Sequence, residues 1–406
     1  MLIKFNFLDS YLLKIIYAWE QRKFKDFTKI SQGLQIAISD RFVEEGENRL
    51  FYITNEFLNP KSTLKYYIEN AAESVIANTD DILMTRTGNT GKVVTNVFGA
   101  FHNNFFKISY ETSKTDRLFL YYLLNTQYVQ KEIMIGAGAS TIPDLKHPNF
   151  YRIKVNIPAI EEQWRVGTFF KQLDNTIALH QRKLDAMNQM KNGFLQQLFP
   201  ENGEKFPRVR FADFKDEWEQ RKLGEVVKKV TRKNKELESR LPLTISAQNG
   251  LIDQNKFFNK NVASRDLSGY YLIKNGEFAY NKSYSNGYPW GAVKRLDNYK
   301  IGVLSTLYII FKPIDIDSTF LTKYYDTTYW YKEVSKYAAE GARNHGLLNI
   351  ASTDFFKTEI MIPKKYEEQE KIGLFFKQLD DTIKLHQNKL DRLKKLKKKY
   401  LQNMFI

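Results

Sequence analysis

One segment of this chain occurs twice. Residues 161–199 read EEQWRVGTFFKQLDNTIALHQRKLDAMNQMKNGFLQQLF, and residues 367–405 read EEQEKIGLFFKQLDDTIKLHQNKLDRLKKLKKKYLQNMF. The copies align without a gap at an offset of 206, with 22 identities over 39 positions. A repeat of this length means a fold built from two like halves, so any single continuous domain is the wrong template.

The repeat extends beyond these segments. WEQRKF at 19–24 returns as WEQRKL at 218–223. Residues 136–158 correspond to 341–363, with Phe150 matching Phe355 and Ile157-Pro158 matching Ile362-Pro363. Between these anchors, 25–135 and 224–340 share little beyond a glycine-containing loop near Gly91 and Gly291. The layout is a variable domain at 1–158 with an atypical lead-in at 1–18, and a repeated helix at 159–199. A linker rich in Pro, Gly and charge follows at 200–217, then a second variable domain at 218–363 and a second helix at 364–406.

Periodicity assigns the repeated segments to long helices. Phe170, Leu173, Ile177, His180, Leu184, Met187, Lys191, Phe194 and Leu198 alternate steps of three and four residues. Phe376, Leu379, Ile383, His386, Leu390, Leu393, Lys397, Tyr400 and Met404 repeat the pattern, which is that of a coiled-coil seam. A lone helix cannot bury such a stripe, and the other copy is the natural partner. Pro158, Pro363 and Pro200 punctuate the helices. The variable domains mix strand-like runs at 93–98 and 302–311 with a helical run at 116–133, so the fold class is α+β: two mixed α/β domains separated by two long helices.

Charge then narrows the partners. The chain carries 62 Lys+Arg against 46 Asp+Glu, a net +16, which favours polyanions through release of condensed counterions. It has no cysteine, which excludes disulfides and thiolate metal sites and fits a reducing, cytoplasmic compartment. Its five histidines show no ligand spacing, so no metal site is expected. His180 and His386 read as polar seam residues that fix register. The apolar N-terminal run is broken by Lys4, Asp9 and Lys14 and reads as neither a signal peptide nor a spanning helix, so no membrane partner is expected.

Enzyme signatures are missing. TRTGNTGKV at 85–93 has Arg86 and Val93 where a phosphate loop needs Gly and Ser or Thr. GAGAST at 136–141 has Thr141 where a dinucleotide loop needs its third Gly. No Asp/Asn-Pro-Pro-aromatic string, the amino-methyltransferase signature, occurs, so no catalytic residue is assigned. The same loops suit reading of nucleic acid. Arg86, Asn89, Thr90 and Lys92 surround Gly88 and Gly91, and Ser140 and Thr141 lie in the next Gly-rich loop. The second half offers Asn281, Lys282, Ser283, Tyr284, Asn286, Lys294 and Arg295, with Arg343 and Asn344 beside His345. Arg and Lys reach guanine edges or phosphates, and Asn suits adenine. Ordinary polar hairpins are the competing reading. The run of Lys394, Lys395, Lys397, Lys398 and Lys399 reads as a solvated helix face that complements the helix dipole, with a phosphate-contacting stripe as the alternative.

The WEQRKL-type openings, the Ile-Pro anchor before Glu-Glu-Gln, and the FFKQLD(D/N)TI-LHQ-K-LD helix, each present twice, resemble the specificity subunits of type I restriction–modification systems, staphylococcal members in particular. The resemblance covers essentially the whole chain. It implies that each variable domain is a target-recognition domain reading one half of an asymmetric, bipartite site on double-stranded DNA. It implies that the repeated helices pair antiparallel, set the unread gap, and dock two modification (adenine methyltransferase) subunits, which two restriction (translocase and endonuclease) subunits join. S-adenosylmethionine, ATP and magnesium would then serve those partners, with no cofactor in this chain. The alternatives are a self-sufficient adenine methyltransferase or nuclease, and a non-specific basic coiled-coil scaffold. One departure stands out: residues 210–214 supply an Arg-Phe-x-x-Phe lead-in to the second half, whereas the 18 residues before Trp19 lack it.

Overall fold

The computed structural model describes residues 19–246, 248–283, 287–338, 348 and 350–405. The lead-in at 1–18 lies outside them. The chain forms two compact units, Met1–Gln181 with Asn388–Ile406, and Arg182–Gln387. The division falls inside both long helices and so differs from the linear segmentation above: each unit holds one variable domain and a stretch of each helix.

The long helices run Ile160–Gln197 and Tyr366–Asn403. Each begins just after the Pro anchor with two glutamates in its first turn, Glu161 and Glu162 or Glu367 and Glu368, where negative charge favours the exposed amide ends. At 38 residues each spans roughly 57 Å. Every expected seam position is buried or half-buried; Phe170, Leu184, Phe376 and Leu390 are buried, and Leu173, Ile177, Leu379 and Ile383 are half-buried. Within the first unit, Phe169 meets Tyr400 edge-on, Asp174 pairs with Lys397 at 2.5 Å, and Gln181 accepts from Lys394 at 3.3 Å. Within the second, Lys191 pairs with Asp380 at 2.6 Å and Phe194 meets Phe375 edge-on. In both, rising numbers on one helix meet falling numbers on the other, so the pairing is antiparallel. The lysines at seam positions 191 and 397 are thereby explained: each neutralises an aspartate of the opposite helix.

The variable domains share a frame despite their unlike sequences. In the first unit a four-stranded antiparallel sheet has the order Thr28–Gln32, Phe105–Tyr110, Ile82–Thr85, Val93–Val94. In the second the order is Val227–Lys229, Ile309–Pro313, Phe278–Asn281, Ala292–Arg295, with the same connectivity. The WEQRK strings form matching ribbons: Glu20–Lys23 pairs with Lys154–Ile157, and Glu219–Lys222 with Glu359–Ile362, in the same register. The first domain's ribbon therefore pairs as the second's does from Glu20 onward. Among the described residues no helix is long and apolar enough to cross a membrane.

Each domain is fixed to its helices by the same joint. Gln163 accepts from the Asp116 amide at 2.9 Å and donates to the Pro158 carbonyl at 2.9 Å. Gln369 does the same with Asp317 at 2.9 Å and Pro363 at 3.1 Å. Asp116 and Asp317 then cap the helices Arg117–Leu124 and Ser318–Tyr324 through their carboxylates. A glycine faces each cap: a Cβ on Gly167 would lie 2.7 Å from the Phe119 amide, and one on Gly373 would lie 3.0 Å from the Phe320 amide. Aromatic rings close the joint, with Phe405 against Trp19, Phe119 and Phe170 in one unit and Phe199 against Trp218, Phe320 and Phe376 in the other.

Candidate nucleic-acid interface

In the first unit, the loop at 86–92 joins the strands Ile82–Thr85 and Val93–Val94. It turns through a run of left-handed residues, Gly88 (φ 61°), Asn89 (φ 63°) and Gly91 (φ 86°), which glycine and asparagine tolerate best. Thr85 pins it by donating to the Asn89 carbonyl at 2.6 Å, and Gln130 donates to the Gly91 carbonyl at 2.9 Å.

The structure brings this loop beside the one at 138–144. Thr90 donates to the Pro143 carbonyl at 2.8 Å, and the Leu145 amide donates to the Arg86 carbonyl at 2.9 Å. Asn89, Lys92, Ser140 and Thr141 are exposed, and Thr90 is half-buried. An open groove between the loops is lined by Asn89, Thr90, Lys92, Gln130, Met134 and Pro143. Gln130 and Met134 lie on the helix Gln127–Ala137, whose place in the groove had no signal in the sequence. Arg86, expected as a DNA contact, sits between the two loops. Its guanidinium lies 2.6 Å from the Asp144 carboxylate and is only 18% exposed, so it ties the two loops together.

In the second unit the loop between Phe278–Asn281 and Ala292–Arg295 is the topological counterpart of 86–92. Its Gly291 (φ 78°) leaves no room for a side chain, since a Cβ would lie 2.1 Å from the Asn281 carbonyl oxygen. The Leu348 amide donates to the Lys282 carbonyl at 2.9 Å, as Leu145 does to Arg86. Burial lowers the pKa of Lys282, which donates to the Ile350 carbonyl at 3.4 Å. Asn281 accepts from the Ser283 amide at 3.1 Å, leaving both residues half-buried at the root of the loop. Tyr284, Asn286, Arg343, Asn344 and His345 lie outside the described residues.

Lys294 and Arg295, also expected as contacts, lie on the strand after the loop and form ion pairs. Lys294 pairs with Asp326 at 2.9 Å; Arg295 pairs with Asp297 at 2.7 Å and donates to Ser318 at 2.9 Å. Asp326 also pairs with Lys323 at 3.2 Å, and Lys323 reaches Asp380 on the long helix at 2.5 Å. Burial alone would lower the Lys323 pKa, but Asp326 and Asp380 raise it; burial would raise that of Asp326, but Lys294 and Lys323 lower it. This is a domain-to-helix anchor. Its counterpart in the first unit is Tyr122, which donates to Asp174 at 2.8 Å and whose pKa is raised by burial and by that carboxylate.

Comparison with known proteins bears on what such a frame does. The family described as type I restriction modification DNA specificity domain matches residues 17–189 and again 215–395. The type I restriction enzyme MjaVIII specificity subunit of Methanocaldococcus jannaschii is 25% identical, covering 98% of this chain and 94% of its own. The putative MjaX specificity subunit of the same organism is 24% identical over 28% of this chain and 27% of its own. Among solved structures, the type I restriction–modification S subunit from M. genitalium shares the fold with a TM-score of 0.59 at 14% identity, covering 97% of this chain and 98% of that one. A chain from a structure on complex assembly and conformational transition of the type I restriction–modification system gives 0.52 at 14% identity, covering 96% and 97%.

Proposed function

Since the chain belongs to the type I restriction modification DNA specificity family, we propose that it is the subunit that selects the DNA sequence for such a system, with one unit reading each half of an asymmetric bipartite site. The observation that carries this reading is the pairing of like frames with unlike loops. The loops at 86–92 and 282–291 each join the last two strands of matching sheets, one in each unit, yet the first presents Asn89, Thr90 and Lys92 where the described part of the second carries Tyr288 and Trp290. Different side chains on equivalent supports read different base edges. In the first unit Asn89 and Lys92 are the proposed contacts, with Ser140 and Thr141 flanking them and Arg86 holding the loops in place.

The finer expectations follow from the resemblance. The repeated helices would dock two modification subunits, since like surfaces recruit like partners. Two restriction subunits would complete a cytoplasmic assembly. S-adenosylmethionine, ATP and magnesium would be used by those partners, and the length of the long helices would set the unread gap. A self-sufficient methyltransferase is not favoured, because the chain lacks an Asp/Asn-Pro-Pro-aromatic string.

The test is adenine-methylation sequencing of a host genome with and without this gene. A bipartite methylated motif that disappears on deletion is expected. Retention of every modified motif in an active system would overturn the reading. Binding by the assembled complex that is equal on scrambled duplexes would favour the scaffold alternative.

A further inference from the structure

In the second unit, Glu368 is a completed acceptor. Trp218 donates its indole N–H to Oε1 at 3.2 Å, and Arg210 donates Nε to Oε1 at 2.7 Å and Nη2 to Oε2 at 2.8 Å. The Glu368 side chain is 2% exposed and that of Arg210 13%. Neighbouring contacts hold the segment that brings Arg210. Phe211 meets Phe375 edge-on, and Lys371 pairs with Asp213 at 2.6 Å while lying over the rings of Phe211 and Phe214.

Among the described residues, the first unit repeats the acceptor without the donor. Glu162 matches Glu368 at the repeat offset, and Trp19 donates its indole N–H to Glu162 Oε1 at 3.1 Å. Oε2 is buried and accepts no hydrogen bond among the described residues. A buried carboxylate oxygen without a donor is costly, because it has lost its water and gained nothing in exchange. The supporting residues are present: Phe169 occupies the place of Phe375, and exposed Arg165 that of Lys371. Arg210 lies eight residues before Trp218, and the position eight before Trp19 is Tyr11; residues 1–18 contain no arginine.

We propose that Glu162 is a guanidinium acceptor whose donor is missing among the described residues, and that the face formed by Glu162, Arg165 and Phe169 binds a peptide segment of the Arg-Phe-x-x-Phe pattern found at 210–214. Charge complementarity and the occupied copy of the same site in the second unit specify this occupant. A carboxylate with one oxygen on an indole and one unmatched takes a forked donor, and a guanidinium is the side chain that supplies one.

The test uses the full chain with residues 2–18 replaced by the sequence of residues 201–217, which places a copy of Arg210 at position 11. A matched chain carries alanine at that arginine. Thermal unfolding of the arginine chain should have a midpoint higher by about 4 °C. That increment should largely disappear when Glu162→Gln is introduced into both chains. Equal midpoints for the arginine and alanine chains, or an increment that survives Glu162→Gln, would overturn the proposal. Should Glu162→Gln fail to fold, a third chain with lysine at the grafted position decides: it should keep less than about half of the increment, because it cannot match both oxygens. A lysine chain as stable as the arginine chain would also count against it.

Discussion

Alanine placed at three glycines of the long helices should have opposite effects depending on where the glycine sits. Glycine in a helix interior costs about 1 kcal/mol relative to alanine, so a replacement that meets open space stabilises. Gly193 is such a site, since a Cβ added there would have nothing within 4 Å. Gly193→Ala should therefore raise stability by about 0.5–1 kcal/mol. At Gly167 the added Cβ would lie 2.7 Å from Asp116 Oδ1, from Leu118 Cβ and from the Phe119 amide nitrogen. Backbone and a capping carboxylate cannot rotate aside, so the domain must shift off the helix. Overpacking of this kind costs about 1–3 kcal/mol, and disturbing the Asp116 cap adds about 1 kcal/mol. Against a propensity gain of about 1 kcal/mol, Gly167→Ala should destabilise by about 1–3 kcal/mol. Gly373→Ala, with contacts of 2.9–3.1 Å to Asp317, Phe320 and Thr319, should lie at the lower end of that range. The assay is urea unfolding of the three variants beside the parent, followed by intrinsic tryptophan fluorescence. A Gly167→Ala variant stabilised as much as Gly193→Ala would refute the joint as the place where the domain bears on its helix.

Other expectations follow from the same contacts. Lys323→Ala should destabilise the second unit by about 3 kcal/mol, because it leaves Asp326 and Asp380 with fewer cations in a buried setting; guanidinium unfolding measures it. The pH dependence has a definite sign. The lowered pKa of Asp326 contributes stability that is present above its unfolded value near about 4 and is lost as pH falls through the folded value. The raised pKa of Lys323 contributes stability that is present below about 10.4 and is lost as pH rises through its folded value. Asp326→Asn should flatten the acid limb of a stability–pH profile. Asn89→Ala should relax one position of one half-site by about 1–3 kcal/mol, whereas Lys92→Ala should weaken binding to all sequences and lower the salt slope by about one. Salt-titrated binding of the assembled complex distinguishes the two. Four residues inserted at 180–190 would add about 6 Å of rise and roughly 40° of turn, and should change the methylated motif's gap while both half-sites persist.

Much of the frame was legible because a helical period reports its own buried face. The three–four steps through Phe170, Leu173 and Ile177 fall on buried or half-buried positions, and so do Lys191 and Lys397. Their partners, Asp380 and Asp174, could not be read, because a neighbouring helix's register is a tertiary fact. The joints at Gln163, Gly167, Gln369 and Gly373 were visible only as repeated letters, since their meaning depends on amides of residues far away in sequence. The loops were harder. Composition marks Arg86, Lys294 and Arg295 as candidate DNA contacts, but a charge gives no sign of the carboxylate it will meet, and the fold supplies Asp144, Asp326 and Asp297. Nor could the sequence show that the loops at 86–92 and 138–144 share a groove, which depends on how the helix Gln127–Ala137 packs.

Replacing residues 89–92 with an unrelated turn of equal length, and sequencing adenine methylation in the host, tests the central claim most directly. Independent reading by the two units predicts a motif in which one half-site is altered or lost as a determinant while the other half-site is unchanged. Methylation identical to that of the parent, or equal disruption of both half-sites in a chain that still folds, would contradict it.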